Sequence, residues 1–515
     1  GLSNKSLWMY SELYKRFFFQ MIITIWIGVL SSLINYSILS LLVKIIMCYF
    51  FLNYFRFFGN YEFFNPSVFL RDPDLIRKIC VKDFDYFSDH RVFVSNDDPI
   101  FSKSLIGLKG KKWRDMRSTI SPAFTGSKIK SMVPLIFECN IDLVKFLEIE
   151  IERKINDNEL YKIIIISDKQ IDLDSQDLLT RYTTDVIATC AFGFKTNSIT
   201  QRDNTFYKMT SKITEFTFKQ MLKNSLHYIV IEINVFPKDA ITFLRHLVLN
   251  TMKERDEKNV LRSDLIQLLI EAKKGTLKHE NNTEEKDAGF KPGNTNFEMK
   301  HLRIFTAWED DYLVAQAFLF FFAGYETVSS SMKLLLLELA LNPDIQDKLK
   351  QEIDEYHEKY NGKLDYDKVN QMKYMDMVIS ENLRKWPPVI NIERVCVKPY
   401  NIGKVQKGMS VGIGVMAIHH DPKYYPNPGK FDPERFSDVN KKNITPYTYL
   451  PFGFGPRNCI ASRFALLELK IMTFDLIRHF EVSPAPQTPL PPSIDKKYLQ
   501  LKLQGGHWLR FKCRN

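Results

Sequence analysis

One cysteine of the chain lies in a glycine-rich loop directly before a predicted helix. Residues 451–465 read PFGFGPRNCIASRFA. Gly453 and Gly455 allow backbone conformations that other residues avoid. The N–H groups of this loop and the N-terminus of the following helix would favour a thiolate at Cys459. A thiolate held in this way is suited to ligate a haem iron and to favour cleavage of an O–O bond.

Two neighbours of Cys459 suit the same chemistry. Phe452 is spaced to shield the sulfur from water, and Arg457 offers a cation to a nearby anionic group. The alternative is a structural cysteine buried in a glycine-rich turn. We favour the metal ligand because a phenylalanine, two glycines, an arginine and a cysteine occur together in one short segment.

A second group of residues lies within a long predicted helix, in the segment FFFAGYETVSS. The small side chain of Ala323 would let a cofactor or dioxygen approach the backbone. The hydroxyl of Thr327 can donate to the carbonyl four residues earlier and loosen the helix there. Glu326 is a candidate proton source for an iron-bound oxygen. The alternative is a core helix with a glycine packing notch at Gly324 and a solvated glutamate.

Three arginines could bind the carboxylates of a cofactor. Trp113 and Arg117 are four residues apart in a short basic segment, which by itself is more typical of a solvated helix. Together with Arg394 and Arg457 they provide one indole N–H and three guanidinium groups. Such groups suit the two propionates of a porphyrin, because arginine matches a carboxylate in a fork geometry.

An acidic and a basic residue lie three positions apart on another predicted helix. Glu381 and Arg384 would share one helix face. A single pair of this kind is usually a surface ion pair. A further arginine, Arg435, lies in the segment FDPERF, so a buried Glu–Arg–Arg cluster that holds the loop before Cys459 is a hypothesis. Its role would be structural.

The elements that must position these residues are mostly helical. The pattern predicts a long helix from about 311 to 341, which ends at an Asn-Pro pair. Short strands are expected at about 390–416, and a polar loop at 273–300. The chain is therefore predicted to be mostly α with a small β lobe, an α+β fold. Further helices are expected at about 343–359, 368–385 and 460–480.

Composition excludes several classes of protein. Of 515 residues, 45% are hydrophobic and 25% charged, which rules out wholesale disorder. The seven cysteines are widely spaced and include no C-x-x-C pair, which argues against a disulfide framework and a zinc ribbon. The net charge of +11 is spread along the chain. It therefore favours an anionic membrane surface or an acidic partner protein over nucleic acid.

The N-terminal part of the sequence is strongly apolar. No charged side chain occurs from Phe17 to Val43, and a membrane-spanning helix needs about 20 apolar residues. The stretch is longer than the apolar region of a signal peptide, which has about 7–15 residues. We therefore predict a transmembrane helix within an anchor formed by residues 1–58, followed by one catalytic domain formed by residues 59–515.

Taken in the order in which they occur along the chain, the motifs resemble those of the cytochrome P450 family of haem-thiolate monooxygenases. The family's W-x-x-x-R motif would begin at Trp113, A-G-x-[DE]-T at Ala323, E-x-x-R at Glu381, P-E-R-F at residue 433 and F-x-x-G-x-R-x-C at Phe452. Several segments look most like the insect branch of the microsomal, xenobiotic-metabolising group.

Two positions depart from the family's motifs. Ala461 stands two residues after the cysteine, where the family usually has glycine. Val328 stands where the family often has threonine or serine. The extra methyl group of Ala461 lies where it could affect the seating of a haem.

The resemblance implies the cytochrome P450 fold, with haem b between two helices and Cys459 as the ligand of its iron. It implies two catalytic residues, Glu326 and Thr327. It implies a set of cofactor-binding residues, which comprises Trp113, Arg117, Ala323, Arg394, Phe452, Arg457 and Cys459. The phenylalanines of 318–322 and the residues 389–392 are expected to line an apolar pocket.

The resemblance also implies a reaction, in which one oxygen atom of O₂ enters a hydrophobic small molecule. That molecule could be a xenobiotic, a plant toxin, an insecticide, or an endogenous lipid or hormone. Electrons would come from NADPH through NADPH–cytochrome P450 reductase, with cytochrome b5 as an additional candidate donor. The protein would lie in the endoplasmic reticulum membrane with its catalytic domain facing the cytosol. Two alternatives stay open: a haem-thiolate isomerase or peroxygenase, and a haem-binding protein impaired by Ala461.

Overall fold

The chain divides into two compact units, residues 1–58 and 59–515. Residues 1–55 of the predicted anchor lie outside the residues whose structure is described, so the transmembrane helix stays a prediction. The computed structural model describes residues 56–62, 65–91, 100–152, 164–167, 169–214, 236–262, 264–274, 308–400, 405–495, 497–498 and 501–514.

Within the described residues the second unit is mostly helical, as the sequence predicts. Its α-helices are α1 Pro73–Arg77, α2 Gly110–Ile120, α3 Gly126–Glu152, α4 Ser175–Ile187, α5 Thr205–Thr214, α6 Lys238–Lys258, α7 Leu265–Lys274, α8 Asp310–Leu341, α9 Pro343–Lys359, α10 Tyr366–Val369, α11 Lys373–Lys385, α12 Val415–His419 and α13 Ser462–His479.

The described strands form two four-stranded sheets. The first has the order β1-β2-β6-β5, with β2 parallel to β6 and β5 antiparallel to it. The second has the order β3-β4-β8-β7, with every pair antiparallel. These sheets confirm the predicted small β component. The strands are β1 Phe57–Glu62, β2 Asn65–Leu70, β3 Ile164–Ser167, β4 Gln170–Asp174, β5 Ile392–Val395, β6 Ser410–Ile413, β7 Phe480–Pro484 and β8 Trp508–Cys513.

The long helix α8 runs through the core. It ends at Leu341 because Asn342 precedes Pro343, which disfavours helical backbone at the residue before it. Its C-terminal half contributes to one apolar cluster with α3 and α13, and its N-terminal half contributes to a second cluster with α6 and α7. Among the described helices, α8 alone is long and apolar enough to cross a membrane, but 67% of its apolar window is buried inside the protein. Burial of this extent is what a central core helix shows.

The predicted boundaries of one helix need correction. The helix expected at 368–385 is divided into α10, which ends at Val369, and α11, which begins at Lys373. The side chain of Asp365 accepts a hydrogen bond from the backbone N–H of Lys368 and caps α10. The helix expected at about 460–480 is confirmed as α13, and because it begins at Ser462 the cysteine loop extends as far as Ala461.

Candidate active site

The cysteine loop has the compact backbone that its glycines predict. Gly453 and Gly455 have φ values of 73° and 77°, in the left-handed region that favours glycine. The N–H of Cys459 donates to the carbonyl oxygen of Phe452 at 2.8 Å, which closes the loop on itself. Among the described cysteines, Cys459 is the exposed one, although protein atoms surround its thiol. The cysteine therefore lies in a recess of the protein.

Two opposing influences act on the Cys459 thiol. Burial raises its pKa, whereas a hydrogen bond from the N–H of Ala461 and the nearby charge of Arg117 lower it. Burial is the largest of these effects, so the pKa lies above its ordinary value. The predicted help from the backbone is thus present, and Arg117 adds to it, but together they do not outweigh burial without a further positive charge at the sulfur. A bound metal ion would supply that charge.

Replacing Gly455 by alanine should displace this loop. A Cβ at this position would lie 2.0 Å from the carbonyl oxygen of Cys80, and the backbone has a left-handed φ. We expect Gly455→Ala to cost about 3 kcal/mol or more of stability and to reduce cofactor retention strongly. The matched control is Gly408→Ala, where φ is +90° but nothing lies within 4 Å. If thermal unfolding shifted equally in both variants, strain alone would explain the effect.

The middle of α8 offers an accessible surface within an otherwise buried helix. Ala323 is exposed, whereas Phe321 and Tyr325 on either side of it are buried. The hydroxyl of Thr327 donates to the carbonyl oxygen of Ala323 at 2.6 Å, which confirms the predicted bond to the residue four positions earlier. This bond is accessible, so the Ala-Thr turn is an exposed part of α8.

The cysteine loop and α8 both border the two apolar clusters of the core. Ile460 packs on the cluster that includes the N-terminal half of α8. Phe452, in the loop, and Phe464, on α13, pack on the cluster that includes its C-terminal half. The two predicted groups of residues are more than a hundred positions apart in the sequence. That they face one common site stays a prediction.

Helix α2 is tied directly to the cysteine loop. Arg117 donates to the backbone oxygen and to the side-chain oxygen of Asn458, at 2.9 and 3.0 Å. Trp113 is buried, and the guanidinium carbon of Arg457 lies 4.0 Å from the centroid of its ring. Asn458 is a site residue that the sequence reasoning missed. Its position next to the cysteine was the available signal.

Arg457 is held by a distant part of the chain. Its guanidinium group donates to the carbonyl oxygens of Ser88, Leu105 and Leu108 at 2.7 to 3.0 Å. The carboxylate of Asp89 lies 3.6 Å away. The guanidinium group therefore binds the 88–108 segment, and the charge that it offers to a cofactor is shared with Asp89.

Buried positive charge is concentrated beside the loop. Burial lowers the pKa of Arg394, and the pKa of Arg117 falls to about 10 mainly through burial. The pKa of Arg457 falls to about 9 through burial and then through repulsion by Arg394. The Nε of Arg394 is buried and makes no hydrogen bond within the described part of the protein. Such a cluster is costly unless an anion compensates it, so the residues fit a cofactor that carries two carboxylates.

Glu326 pairs with residues of its own helix α8 that lie on a different face from Thr327. Its carboxylate accepts from the hydroxyl of Ser330 at 3.1 Å and lies 3.8 Å from the ammonium of the buried Lys333. The predicted proton source is therefore next to Thr327 in sequence but faces a different neighbour. Lys333 is a second residue that the sequence reasoning missed, although a lysine within the segment MKLLLL was a visible signal.

The Glu–Arg–Arg cluster is present and buried. Arg384 makes two hydrogen bonds to the Glu381 carboxylate, at 2.7 and 2.9 Å, and both side chains are fully buried. Arg435 lies 3.4 Å from the same carboxylate. Arg384 also donates to the carbonyl oxygens of His419 and Pro428, both at 2.8 Å. The cluster thus joins α11 to the segment that leads to the cysteine loop.

His419 links the Glu–Arg–Arg cluster to Leu450, the residue directly before the cysteine loop. The Nε2 of His419 accepts from the backbone N–H of Leu450 at 2.9 Å, and its Nδ1 bonds the carbonyl oxygen of Arg384. Burial lowers its pKa to about 3, so the imidazole is neutral and Nε2 can act as an acceptor. Tyr449 stacks on this ring and donates to the carbonyl oxygen of Ser380 at 3.0 Å. The predicted role of the cluster in holding the loop is consistent with these bonds.

Comparison with known proteins agrees with this arrangement. Residues 35–507 match the protein-family model described as Cytochrome P450. The chain belongs to the cytochrome P450 family. It is 44% identical over 472 residues to "Cytochrome P450 9e2" of Blattella germanica, which covers 89% of this chain and 86% of the relative. It is 39% identical over 481 residues to "Probable cytochrome P450 9f2" of Drosophila melanogaster, which covers 89% of this chain and 87% of the relative.

A third similar protein is "Cytochrome P450 6k1" of Blattella germanica, 36% identical over 468 residues, with 88% of this chain and 84% of the relative covered. Membership of the family makes this P450 a monooxygenase with haem b as its cofactor. It also implies a hydrophobic substrate and a redox partner in general terms. The predicted resemblance, enzyme class and cofactor are thus confirmed.

Proposed function

We propose that this P450 inserts one oxygen atom of O₂ into a hydrophobic small molecule with electrons from NADPH. Their donor would be NADPH–cytochrome P450 reductase, with cytochrome b5 as an additional donor. The substrate would be a xenobiotic, a plant toxin, an insecticide or an endogenous lipid. The protein would be anchored in the endoplasmic reticulum by residues 1–58, with its catalytic domain in the cytosol.

The observation that carries this proposal is the place of Cys459. Cys459 is exposed in a loop with left-handed glycines, and the Ala323–Thr327 turn of α8 is exposed as well. Both elements border the same two apolar clusters. A thiolate ligand and a hydroxyl on a loosened helical turn are the two groups that oxygen chemistry at a haem needs from the protein.

Each residue near the sulfur has a role in the proposed site. Cys459 Sγ would be the protein ligand of the iron, and Phe452 would shield it from water. The guanidinium groups of Arg117, Arg394 and Arg457 would compensate the two propionates, and Trp113 would add its N–H. Because the side chain of Ala323 is only a methyl group, a flat cofactor could approach the backbone of α8 closely at this position. Haem, when bound, supplies the iron at which dioxygen is activated.

Thr327 and Glu326 would form a relay that delivers protons to the reaction. The Oγ1 of Thr327 donates to a backbone carbonyl at 2.6 Å, so its lone pairs are free to accept a hydrogen bond from a water beside this turn. Glu326 would provide protons to that water from the neighbouring face of α8. The proton must reach the correct oxygen atom, because O₂ that takes up two electrons and two protons without cleavage of its O–O bond leaves as hydrogen peroxide.

The expected substrate is apolar because aromatic rings surround the N-terminal half of α8. Phe236 lies 5.0 Å from Phe318, 5.6 Å from Phe322 and 5.7 Å from Phe101, measured between ring centroids. Val389 and Ile390 are exposed at 45% and 44%. Accessible apolar side chains such as these two favour a hydrophobic ligand. We propose that they line the substrate pocket together with the phenylalanines of 318–322.

A basic face supports the proposed electron donor. Lys111, Lys112 and Arg114 are exposed on α2. The same helix carries Arg117, which bonds the residue before Cys459. An acidic protein would be attracted to this face close to the cysteine, since complementary charge accelerates association.

The test of this function is turnover by the full chain reconstituted with the reductase, NADPH and O₂. We expect an apolar substrate to gain one oxygen atom, which labelled dioxygen would trace to O₂ by mass spectrometry. Turnover that requires a hydroperoxide substrate and no reductase would instead identify an isomerase or peroxygenase. Normal haem and substrate binding with no oxygenated product would identify a haem-binding protein without this activity.

Thr327→Ala should uncouple the reaction. The variant loses the hydroxyl but keeps a good helix former, so the haem content should remain normal. We expect product per NADPH to fall about tenfold and peroxide to rise, because the proton relay loses a member. The control is Ser331→Ala, whose hydroxyl also bonds a carbonyl four residues earlier, at 2.9 Å, but is buried. Unchanged coupling in Thr327→Ala would remove Thr327 from the relay.

A further inference from the structure

Three buried polar groups on α3, α4 and α13 have no part in the function proposed above. They are the Oδ1 of Asn140 on α3, the hydroxyl of Tyr182 on α4 and the Oε1 of Glu468 on α13. All three residues are buried, and none of these atoms has a hydrogen-bond partner within the described part of the chain. Native proteins pair nearly all of their buried polar groups, either with protein atoms or with ordered water.

The three groups belong to one region of the core. The Nδ2 of Asn140 donates to the carbonyl oxygen of Ile471 at 3.0 Å and to the carboxylate of Asp475. Glu468, Ile471 and Asp475 are at positions i, i+3 and i+7 of α13, so they share the helix face that Asn140 contacts. Burial raises the pKa of Tyr182 well above its ordinary value, and Glu468 has the largest further effect, with Asp475 also contributing. The Tyr182 hydroxyl therefore lies near the same face of α13.

Glu468 is a buried carboxyl group that no cation compensates within the described residues. Burial raises its pKa well above the ordinary value, and no neighbouring charge or hydrogen bond opposes this effect. An isolated carboxylate inside a protein is far more costly than a neutral carboxylic acid, so the group takes up a proton. A protonated carboxyl group has one O–H donor and retains acceptor capacity. Glu468 can therefore both donate and accept a hydrogen bond.

The donor and acceptor chemistry of the set favours water over an ion. Asn140 Oδ1 can only accept, whereas the Tyr182 hydroxyl and the protonated Glu468 can both donate and accept. An anion would need donors only, and a cation would need acceptors only. Burial raises the pKa of Cys139 to about 12 and the pKa of Cys190 well above its ordinary value, so these two thiols of the same region keep their protons and offer no metal ligand. A buried water typically makes about three hydrogen bonds and uses both of its roles.

We propose that Asn140, Tyr182 and Glu468 form a binding site for a buried water molecule between α3, α4 and α13. The water donates to Asn140 Oδ1 and exchanges further hydrogen bonds with the Tyr182 hydroxyl and the Glu468 carboxyl group. Helix α13 begins at Ser462, directly after the cysteine loop. The water thus joins the helix that follows this loop to two other helices of the core. The site needs neither haem chemistry nor a substrate, so it is independent of the proposed reaction.

The first measurement is a high-resolution crystal structure of the full-length holoprotein. We expect electron density for a water oxygen about 2.5–3.0 Å from Asn140 Oδ1, from Tyr182 Oη and from a carboxyl oxygen of Glu468. In Tyr182→Phe, which keeps the ring and removes the hydroxyl, this density should weaken or disappear. The matched control is Tyr207→Phe, because the Tyr207 hydroxyl already donates to Asp177 at 2.9 Å, and this variant should keep the water. Direct hydrogen bonds among the three groups, with no water between them, would overturn the proposal.

The second measurement is infrared spectroscopy of the same holoprotein in solution at neutral pH. We expect a carbonyl band of a carboxylic acid that shifts in D₂O, is absent from Glu468→Gln and is retained in the control Glu481→Gln, whose carboxylate is half exposed on β7. Tyr182→Phe should shift this band, since the water that bonds the acid loses one partner. A folded Glu468→Gln protein with the spectrum of the parent would mean that Glu468 is ionised, and it would overturn the proposal. If Glu468→Gln does not fold, the band in Tyr182→Phe decides, and an unshifted band contradicts the shared water.

Discussion

Replacing Cys459 by serine should abolish the far-red-shifted Soret band of the reduced carbon-monoxide complex. This band reports a thiolate ligand, and a serine hydroxyl cannot replace a thiolate because it stays protonated at neutral pH. Serine is small enough to fit the same loop. The N–H at this position can still donate to the carbonyl oxygen of Phe452. We therefore expect complete loss of the shifted band, together with loss of product formation.

The measurement is the difference spectrum of membranes that contain equal amounts of parent and variant protein. The matched control is Cys513→Ser, a partly exposed cysteine on β8, and this variant should keep the shifted band. A shifted band in Cys459→Ser would assign the ligand to another residue. An unshifted band in the parent would mean that haem binds without the thiolate. The methyl group of Ala461 would then be the first candidate cause.

Glu381→Ala should leave almost no haem-containing protein. The change removes the carboxylate that binds Arg384 and neighbours Arg435, and it leaves the fully buried Arg384 without its anion. Breaking a buried ion pair in this way costs about 3–5 kcal/mol. The same carboxylate accepts from the backbone N–H of Asp432, at 2.9 Å. The segment before the cysteine loop should therefore lose its attachment to α11.

Haem content per protein and the thermal unfolding temperature measure this effect. The matched control is Glu434→Ala, in the same part of the chain as Arg435. Glu434 pairs with Lys348 at 2.6 Å, but both side chains are half exposed, and such a pair contributes about 0–1 kcal/mol. We expect normal haem content in the control. Normal haem incorporation in Glu381→Ala would show that the cluster is dispensable.

Much of the candidate site follows from local spacing in the sequence. The bond from Thr327 to Ala323 and the pairing of Glu381 with Arg384 depend only on the repeat of an α-helix. The left-handed backbone at Gly453 and Gly455 depends on glycine itself. The end of α8 depends on the proline that follows it. Interactions within a few residues of each other can be predicted because the backbone geometry fixes them.

Only the tertiary structure decided which distant groups meet these residues. Arg457 bonds Ser88 across 369 positions of sequence, and Lys333 bonds Gln176 across 157 positions. His419, which links Arg384 to the cysteine loop, has no spacing that marks it in the sequence. These partners depend on how the helices pack against each other, and packing is set by the shapes of many side chains at once. The sequence by itself therefore determined the family and the local geometry and predicts the ligand, whereas packing decided the partner of Lys333 and the acceptors of Arg457.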